Sequence, residues 1–422
     1  MILPPTDTQK KLTYTAAQHS AARTPHFVFN QLIPYIGNKR KLLGLIEQAL
    51  PVAARAHGKT FLDLFAGSGV VSRYAKSLGY QVLSNDWEPY ARVINGCYIG
   101  TNRAPRFKKL GGYEAALGSL NDLRPCSDWV TKHLCPRSDT HFDVSRDRMF
   151  YMRKNGRRID AIRNAILDWK ESGLITEHEE ICLLAPLLYQ ACYNSNTSGV
   201  FKAFHNGWGG RTGTALYRIA GDLTLSPAVF CDNGLRNKVF CEDAQKLARR
   251  LSGSAVDVAY LDPPYNQHPY GSNYHVLNSI ALWDKPVVGT TIAHGNKSAI
   301  RTDWRSQRRS AYNYAKEASR AYQQLLDTLN ARFILTSYST DGSIPLDELL
   351  RANTQRGQTT LVMRGYKRYR VSSQRFSEKP MNVEFIIVTD TTRRPRASVE
   401  SLLRSIQAQE RQVLSAHPEI CR

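Results

Sequence analysis

No apolar run among the 422 residues comes near the ~20 needed to cross a bilayer. The stretch from Met1 to Asn30 is polar and has no apolar core of signal-peptide type. The expectation is a cytoplasmic protein with no membrane partner. Cysteine is sparse and scattered, eight residues with no CxxC pair, which argues against a disulfide framework and against the common zinc motifs. Cys126, His133, Cys135 and His141 form a local group of metal-ligating types, but their spacing fits no zinc pattern, so no metal is expected. Internal repeats and low-complexity segments are missing as well. Negative charge is short: 36 Asp and Glu stand against 57 Lys and Arg, a net charge of +21. Solubility alone rarely calls for so lopsided a balance, whereas a polyanionic partner does, because each neutralised phosphate releases counterions.

The basic residues cluster. Arg153, Lys154, Arg157 and Arg158 form one group, Arg305, Arg308 and Arg309 a second, and Arg364, Lys367, Arg368 and Arg370 a third, with Tyr366 and Tyr369 interleaved. The chain is long for one domain and comfortable for two, and its 42% hydrophobic content is ordinary for a globular protein.

Periodicity sets out the organisation. Gly37 and Asn38 read as a turn, and Leu42, Leu43, Leu45, Ile46 and Leu50 follow at helical spacing. A buried strand over Phe61–Phe65 runs into a Gly turn, a helix over Val70–Leu78 and a second strand over Gln81–Asn85. This is the opening of a doubly wound α/β domain. From about Gly100 helical periodicity dominates, as in Arg158–Lys170 and Glu179–Tyr193. Alternation resumes near Lys238 with a strand over Val256–Leu261, a helix around Tyr312–Leu329, a strand over Phe333–Ser337, and a closing pair over Thr359–Met363 and Val383–Thr389. The reading is a loosely held segment 1–30, a catalytic domain of 31–99 and 236–392, a mostly helical insertion of 100–235, and a C-terminal amphipathic helix in 393–422.

Two motifs carry the chemistry. Asp63-Leu64-Phe65-Ala66-Gly67-Ser68-Gly69 joins the first strand to its helix, where glycines let the backbone turn and a helix N-terminus receives a ligand. No third Gly stands at the dinucleotide spacing, which disfavours NAD. Asp86 ends the second strand at roughly the 20-residue distance of an acid that grips ribose hydroxyls. The stronger motif, Asp262-Pro263-Pro264-Tyr265, directly follows the buried strand Val256–Leu261. Its prolines stop the strand and stiffen the turn. One small volume then holds a carboxylate, a carbonyl and an aromatic ring. Such a site suits an exocyclic nucleobase amine, whose lone pair is delocalised into the ring. Asp262 and the Pro263 carbonyl can accept its two hydrogens, drawing the nitrogen toward tetrahedral geometry and stabilising the charge that develops as it is alkylated. Tyr265 offers a face on which a base extruded from the stack can lie. No cysteine nucleophile is needed.

Pro34-Tyr35-Ile36-Gly37-Asn38-Lys39-Arg40-Lys41-Leu42-Leu43, the Asp63–Gly69 loop and Asp262–Tyr265, in that order, resemble the Dam-like (D12 class, alpha group) adenine-N6 DNA methyltransferases. Tyr260 through Asn266 to Asn273-Tyr274-His275, with Asn194–Phe201, is similar to the branch containing the type IIS FokI modification methylase. The resemblance implies a class I methyltransferase fold, a mixed seven-stranded sheet with helices on both faces and target recognition inserted before the catalytic motif. It implies S-adenosyl-L-methionine as cofactor and double-stranded DNA as partner, with a cognate restriction endonuclease as a functional counterpart. A monomer would suit an asymmetric site. Tyr35 and Lys39 match residues that touch the cofactor, Asp86 the ribose-binding acid, and Asp243 the acid near the cofactor's adenine. Asp262 matches the catalytic carboxylate, also close to the cofactor. Asp63, Phe65, Gly67 and Gly69 belong to the cofactor loop.

Asn273, Tyr274 and His275 are candidates to line the base pocket, although a lone His is more often structural. Tyr338, at the end of a strand beside Asp262, is another. Trp208 and Arg211, in a Gly-rich loop, could enter a DNA groove or could belong to a turn with a packed Trp. The branch usually carries Arg-Gln where His268 and Pro269 stand here, and the stretch 287–310, rich in Arg and polar residues, is not aligned with it. The competing readings are RNA adenine methylation, cytosine-N4 methylation, and an inactive DNA-binding relative. Cytosine-N4 enzymes commonly carry Ser at the Asp262 position and RNA enzymes of this fold more often Asn, so the aspartate favours adenine in DNA.

Overall fold

The computed structural model describes residues 26–265, 267, 269–293, 295–367 and 381–415. Asn266, His268, Arg368, Tyr369 and Arg370, and the side chains of Arg305, Tyr366 and Lys367, lie outside the described residues.

Seven strands form one sheet among the described residues: β1 (Thr60–Asp63), β2 (Gln81–Asn85), β3 (Lys238–Phe240), β4 (Val256–Leu261), β5 (Ala331–Ser339), β6 (Gln358–Lys367) and β7 (Met381–Asp390), in the order β3-β2-β1-β4-β5-β7-β6. The pairs from β3 across to β5 are parallel, and β7 runs antiparallel to both β5 and β6. This is the mixed seven-stranded sheet of the class I methyltransferase fold. The closing pair of strands anticipated from the sequence is the β6–β7 hairpin.

The helices that position the site are α1 (Leu43–Ala49), α2 (Val70–Ser77), α3 (Pro89–Asn95), α4 (Arg153–Glu171), α5 (Glu177–Tyr193), α6 (Ala244–Leu251), α7 (His275–Leu282), α8 (Ala315–Thr328), α9 (Leu346–Arg356) and α10 (Val399–Ser415). Side chains alternate across the strands, so each face of the sheet needs its own apolar cover. One face carries Phe61, Tyr260, Phe333, Leu335 and Ile386 and is covered by α1, α2, α3 and α7. The other carries Leu62, Ala259, Leu261, Ile334 and Ile387 and is covered by α6, α8, α9 and α10. The tail helix α10 thus belongs to the second core, through Leu402 and Ile406.

Residues 100–235 hold helices and no strand among those described, and they do not stand apart. Ile159, Ile162 and Ile166 of α4 and Leu183, Leu184, Leu187 and Leu188 of α5 join the core of the first face. A capping box starts α5: Thr176 accepts from the Glu179 amide, and Glu179 accepts in return from Thr176 N–H. Residues 26–29, which the sequence reading left in the loose N-terminal segment, form a short helix whose Phe27 and Val28 are buried.

Chain order and sheet order diverge between β1 and β4, since β1 continues toward β2 on one side and β4 toward β5 on the other. Such a switch point opens a crevice at the carboxyl ends of the strands. Asp63 is in register with Tyr260 there, so the loop after β1 and the turn after β4 become its two walls.

Candidate active site

The crevice is a cleft with about 1230 Å³ of empty space, its open mouth included. Tyr35, Lys39, Phe65, Asp86, Asp243, Asp262, Pro264 and Tyr265 all line it. Three distant motifs of the sequence therefore meet at one place.

Asn38 accepts a hydrogen bond from Arg40 N–H at 2.8 Å and begins the short helical turn Lys39–Leu42. That turn buries Lys39 and sends its Nζ to 3.0 Å from Asp262 Oδ1 and 3.2 Å from the Tyr265 hydroxyl, to which it donates. Asp262 Oδ1 nonetheless has no well-aligned hydrogen bond, which leaves acceptor capacity at the site. Burial pushes the Asp262 carboxyl up and the Lys39 ammonium opposes it. Burial works against the charge on Lys39, but Asp262 together with Tyr265, Glu384 and Tyr260 outweighs it and holds the ammonium well above its ordinary range. The lysine pulls the Tyr265 phenol down, while burial and Asp262 prevail and leave it at about 12. The Tyr265 ring packs edge-on against Tyr338, 5.6 Å between centroids.

On the opposite wall, Asp86 accepts from Gly67 N–H at 2.8 Å and Glu88 N–H at 2.9 Å, so the acid after β2 holds the glycine loop in place. Burial raises its carboxyl. Gly67 adopts φ +51, and a Cβ there would sit 2.6 Å from the Tyr35 ring. This glycine exists to let Tyr35 close in, and Tyr35 in turn stacks on Tyr270 and Tyr274 at 5.3 and 5.0 Å. Asp243 caps α6, its Oδ1 accepting from Gln245 and Lys246 N–H.

Several expected residues fall elsewhere. Asp63 does not line the cleft: it is 1% exposed beneath the loop, accepts from Ser72 Oγ at 2.7 Å, and is pushed up to about 7 by burial. Gly67 and Gly69 shape the loop from behind, with Asn95 packed where a Cβ at Gly69 would go. Pro263 is buried under the turn. Asn273, Tyr274, His275 and Tyr338 are buried outside the cleft lining. The Asn273 carbonyl accepts from Phe201 N–H, Tyr274 OH accepts from Ile36 N–H, and Tyr338 OH accepts from Ile344 N–H. His275 Nε2–H donates to the Phe201 carbonyl, and burial drops the imidazole to about 4, so it is neutral and structural. Trp208 is the packed Trp of a turn, donating to Asp139 O at 2.8 Å against Phe142, while Arg211 is exposed.

Other lining residues went unread. Trp87 and Glu88 directly follow Asp86, and Tyr270 follows the catalytic turn. Burial raises Glu88 to about 7. Trp304 and Arg308, the latter read only as part of a basic cluster, come from the segment 287–310. Buried Arg148 ties that segment down, donating to the carbonyls of Gly289, Thr291, Asn296 and Lys297 and also of His133. Further on, Trp304 lies between the guanidiniums of Arg301 and Arg308, each 4.1 Å from its ring, and Arg308 donates to Trp87 O at 2.8 Å. The segment thereby roofs the cleft. The i,i+4 spacing of Trp304 and Arg308 was the available signal.

Many cations of the basic clusters have internal work. Arg158 donates to the carbonyls of Leu120, Asn121 and Leu123, Arg153 to that of Pro136, and Arg309 pairs with Glu317. The first two clusters are thus partly structural, so their charge is not all available to a polyanionic partner.

Residues 35–326 match the family of D12 class N6 adenine-specific DNA methyltransferases. The chain belongs to this family. It is 32% identical over 339 residues to the type II methyltransferase M.NlaIII of Neisseria lactamica, covering 80% of this chain and 92% of that protein. To M.FokI of Planomicrobium okeanokoites it is 33% identical over 320 residues, covering 75% of this chain and 46% of that protein, so the match spans about half of the longer relative. To M.CviAII of Paramecium bursaria Chlorella virus 1 it is 31% identical over 343 residues, 80% and 93% of the two chains. The protein is accordingly a DNA adenine methyltransferase, which uses a methyl donor. Among the described residues no helix is long and apolar enough to cross a membrane, and no group of three or more His, Cys, Asp or Glu clusters as a metal site.

Proposed function

We propose that this protein takes the methyl group from S-adenosylmethionine and places it on N6 of an adenine flipped out of double-stranded DNA, as the cytoplasmic modification enzyme of a restriction-modification or related system. The observation that carries this reading is the juxtaposition of the Lys39–Asp262 pair and the Asp86–Gly67 wall across one cleft.

The lining fits the donor. Arg250 takes up Glu242, Arg308 is engaged with Trp87 O, and Arg301 and Arg309 are paired with acids outside the lining. What remains is an acidic interior at Asp86 and Asp243 with aromatic walls at Tyr35, Phe65 and Trp87. Such a lining suits a cationic, hydroxyl-bearing, aromatic ligand and disfavours a polyphosphate. When bound, the donor supplies an electrophilic sulfonium methyl. Asp86 and Asp243 would hold its polar groups, and Tyr35 and Phe65 would exclude water. The Asp262 carboxylate, paired with Lys39, would accept one N6 hydrogen, and the backbone carbonyl of Pro263, whose ring is buried under the turn, the other, so that charge developing on the nitrogen meets fixed acceptors. Tyr265 supports the base. The insertion 100–235 serves target recognition, and its shared core with the sheet holds it rigid relative to the cleft.

Sequencing of adenine modification in DNA from cells expressing the protein tests the activity and reads the target. Asp262→Ala is expected to abolish transfer, a loss of at least about 100-fold, while DNA binding persists. Ordinary turnover by that variant would remove Asp262 from the chemistry.

A further inference from the structure

Most acids on the cleft wall have their own partners. Asp262 is paired with Lys39 and Glu242 with Arg250, Asp243 caps α6, and Asp86 accepts a backbone N–H with each of its oxygens. Glu88 is different. It stands at the N-cap of α3, yet its side chain makes no capping bond. The carboxylate turns into the cleft instead, in a residue only 8% exposed, and its Oε2 accepts from Asn278 Nδ2 at 2.6 Å. Asn278, on α7, is itself fixed, because its Oδ1 accepts from Tyr90 N–H at 3.2 Å. Among the described residues no cation pairs with Glu88 and no donor reaches its Oε1. Gly271 leaves that oxygen uncovered: a Cβ there would sit 3.3 Å from Oε1 and 3.5 Å from the Trp304 ring. A carboxylate buried to this degree on one neutral hydrogen bond is costly unless a further donor completes it.

We propose that Glu88 is a second ribose-binding acid, whose Oε1 accepts from one hydroxyl of the methyl donor's diol while Asp86 accepts from the other. The proposal rests on the reading of the cleft as the donor site. Both acids leave the same turn after β2, and Asp86 Oδ1 holds the Glu88 N–H, so their carboxylates belong to one stretch of wall. Two neighbouring acceptors match the two neighbouring O–H donors of a diol. Asp86 is pinned by Gly67 and Glu88 N–H and cannot turn to follow both hydroxyls. Reading both gives the cleft a means of refusing deoxynucleosides, which an enzyme working on DNA meets constantly. A site built to bond a hydroxyl rejects the analogue that lacks it, because its own buried acceptor is then left unpaired.

The test is calorimetric binding of S-adenosylhomocysteine, which carries the same ribose, and of its 2′-deoxy and 3′-deoxy analogues to wild type and E88Q. Work at about pH 8 keeps the acid ionised, since burial and Asp86 lift it to about 7 against Asn278 and Arg308. In E88Q the amide oxygen can still accept from Asn278, but the atom facing the cleft becomes a donor. Wild type is expected to bind each deoxy analogue on the order of tenfold more weakly than the parent. E88Q is expected to bind the parent on the order of tenfold more weakly than wild type does, and to bind one of the two deoxy analogues as tightly as the parent. That coupling to a single hydroxyl is what a merely structural acid would not produce. Wild-type affinity in E88Q overturns the proposal. So does equal weakening for all three ligands, the result expected if the acid holds the amino group or only shapes the wall, and so does coupling to both hydroxyls. Failure of wild type to bind S-adenosylhomocysteine at all removes the donor reading itself, whereas normal wild-type binding beside an unmoved E88Q removes only Glu88. Thermal melts establish folding, and E88A supplies the loss of the acceptor should E88Q not fold.

Discussion

Replacing Lys39 by methionine keeps the length of the side chain and removes the charge facing Asp262. The two groups are 3.0 Å apart, and Lys39 is only 3% exposed. At an effective dielectric of ~20, that separation corresponds to about 5.5 kcal/mol of attraction as an upper bound. Water reaching the partly exposed carboxylate reduces this, leaving roughly 1.5 to 3 kcal/mol, or one to two pH units. The sign follows from the carboxylate. Burial already pushes the Asp262 carboxyl above the usual range, and the ammonium is what opposes it. Without the lysine, Asp262 holds its proton to higher pH, and a protonated acid is a poor acceptor for N6–H. The acid limb of the single-turnover rate should move up by one to two units, with activity at neutral pH lost and partly regained in alkali. K39R, which retains the charge, should keep the limb near its wild-type position. Donor affinity, measured separately by calorimetry, isolates any direct contact of Lys39 with the cofactor. A limb that stays put in K39M refutes the electrostatic role assigned to the pair.

Asp86→Ala removes the acceptor for Gly67 and Glu88 N–H and an acid of the cleft wall. Its donor Kd should rise by on the order of tenfold or more, and an unchanged value would take Asp86 out of the site. Arg148→Ala leaves the carbonyls of Gly289, Thr291, Asn296 and Lys297 without their buried donor. The segment that roofs the cleft should loosen, with a stability loss of about 2 to 4 kcal/mol by denaturant titration and faster hydrogen exchange over 287–310. Unaltered exchange there would mean that the segment is held by something else.

Much of this protein is written locally. The apolar run of β4 with two prolines behind it, the Gly loop after β1, and the helical stripes of α4 and α5 are patterns within a few turns of chain, and the structure shows each at its expected place. The turn at Gly37 and Asn38 and the loop Asp63–Gly69 were recognisable because backbone geometry demands particular residues there. The residues whose place the sequence left open share one feature. Asp63, His275 and Trp208 are residues of functional type, and only burial distinguishes a side chain that lines a cleft from one that supports it. His275 looks like a base until the Phe201 carbonyl and a dry core make it neutral.

The sequence by itself determined which chemistry was at hand, because the carboxylate, the prolines, the ring and the glycines lie in short contiguous runs and their order fits an α/β chain. Only the tertiary structure decided which acids and cations face one another. Lys39 meets Asp262 because the turn before α1 packs against the end of β4, and Trp304 roofs the cleft because Arg148 gathers a strap of backbone carbonyls. Neither is a periodicity of the chain. Both arise from packing between segments hundreds of residues apart, where burial and charge are settled by neighbours that local sequence does not specify.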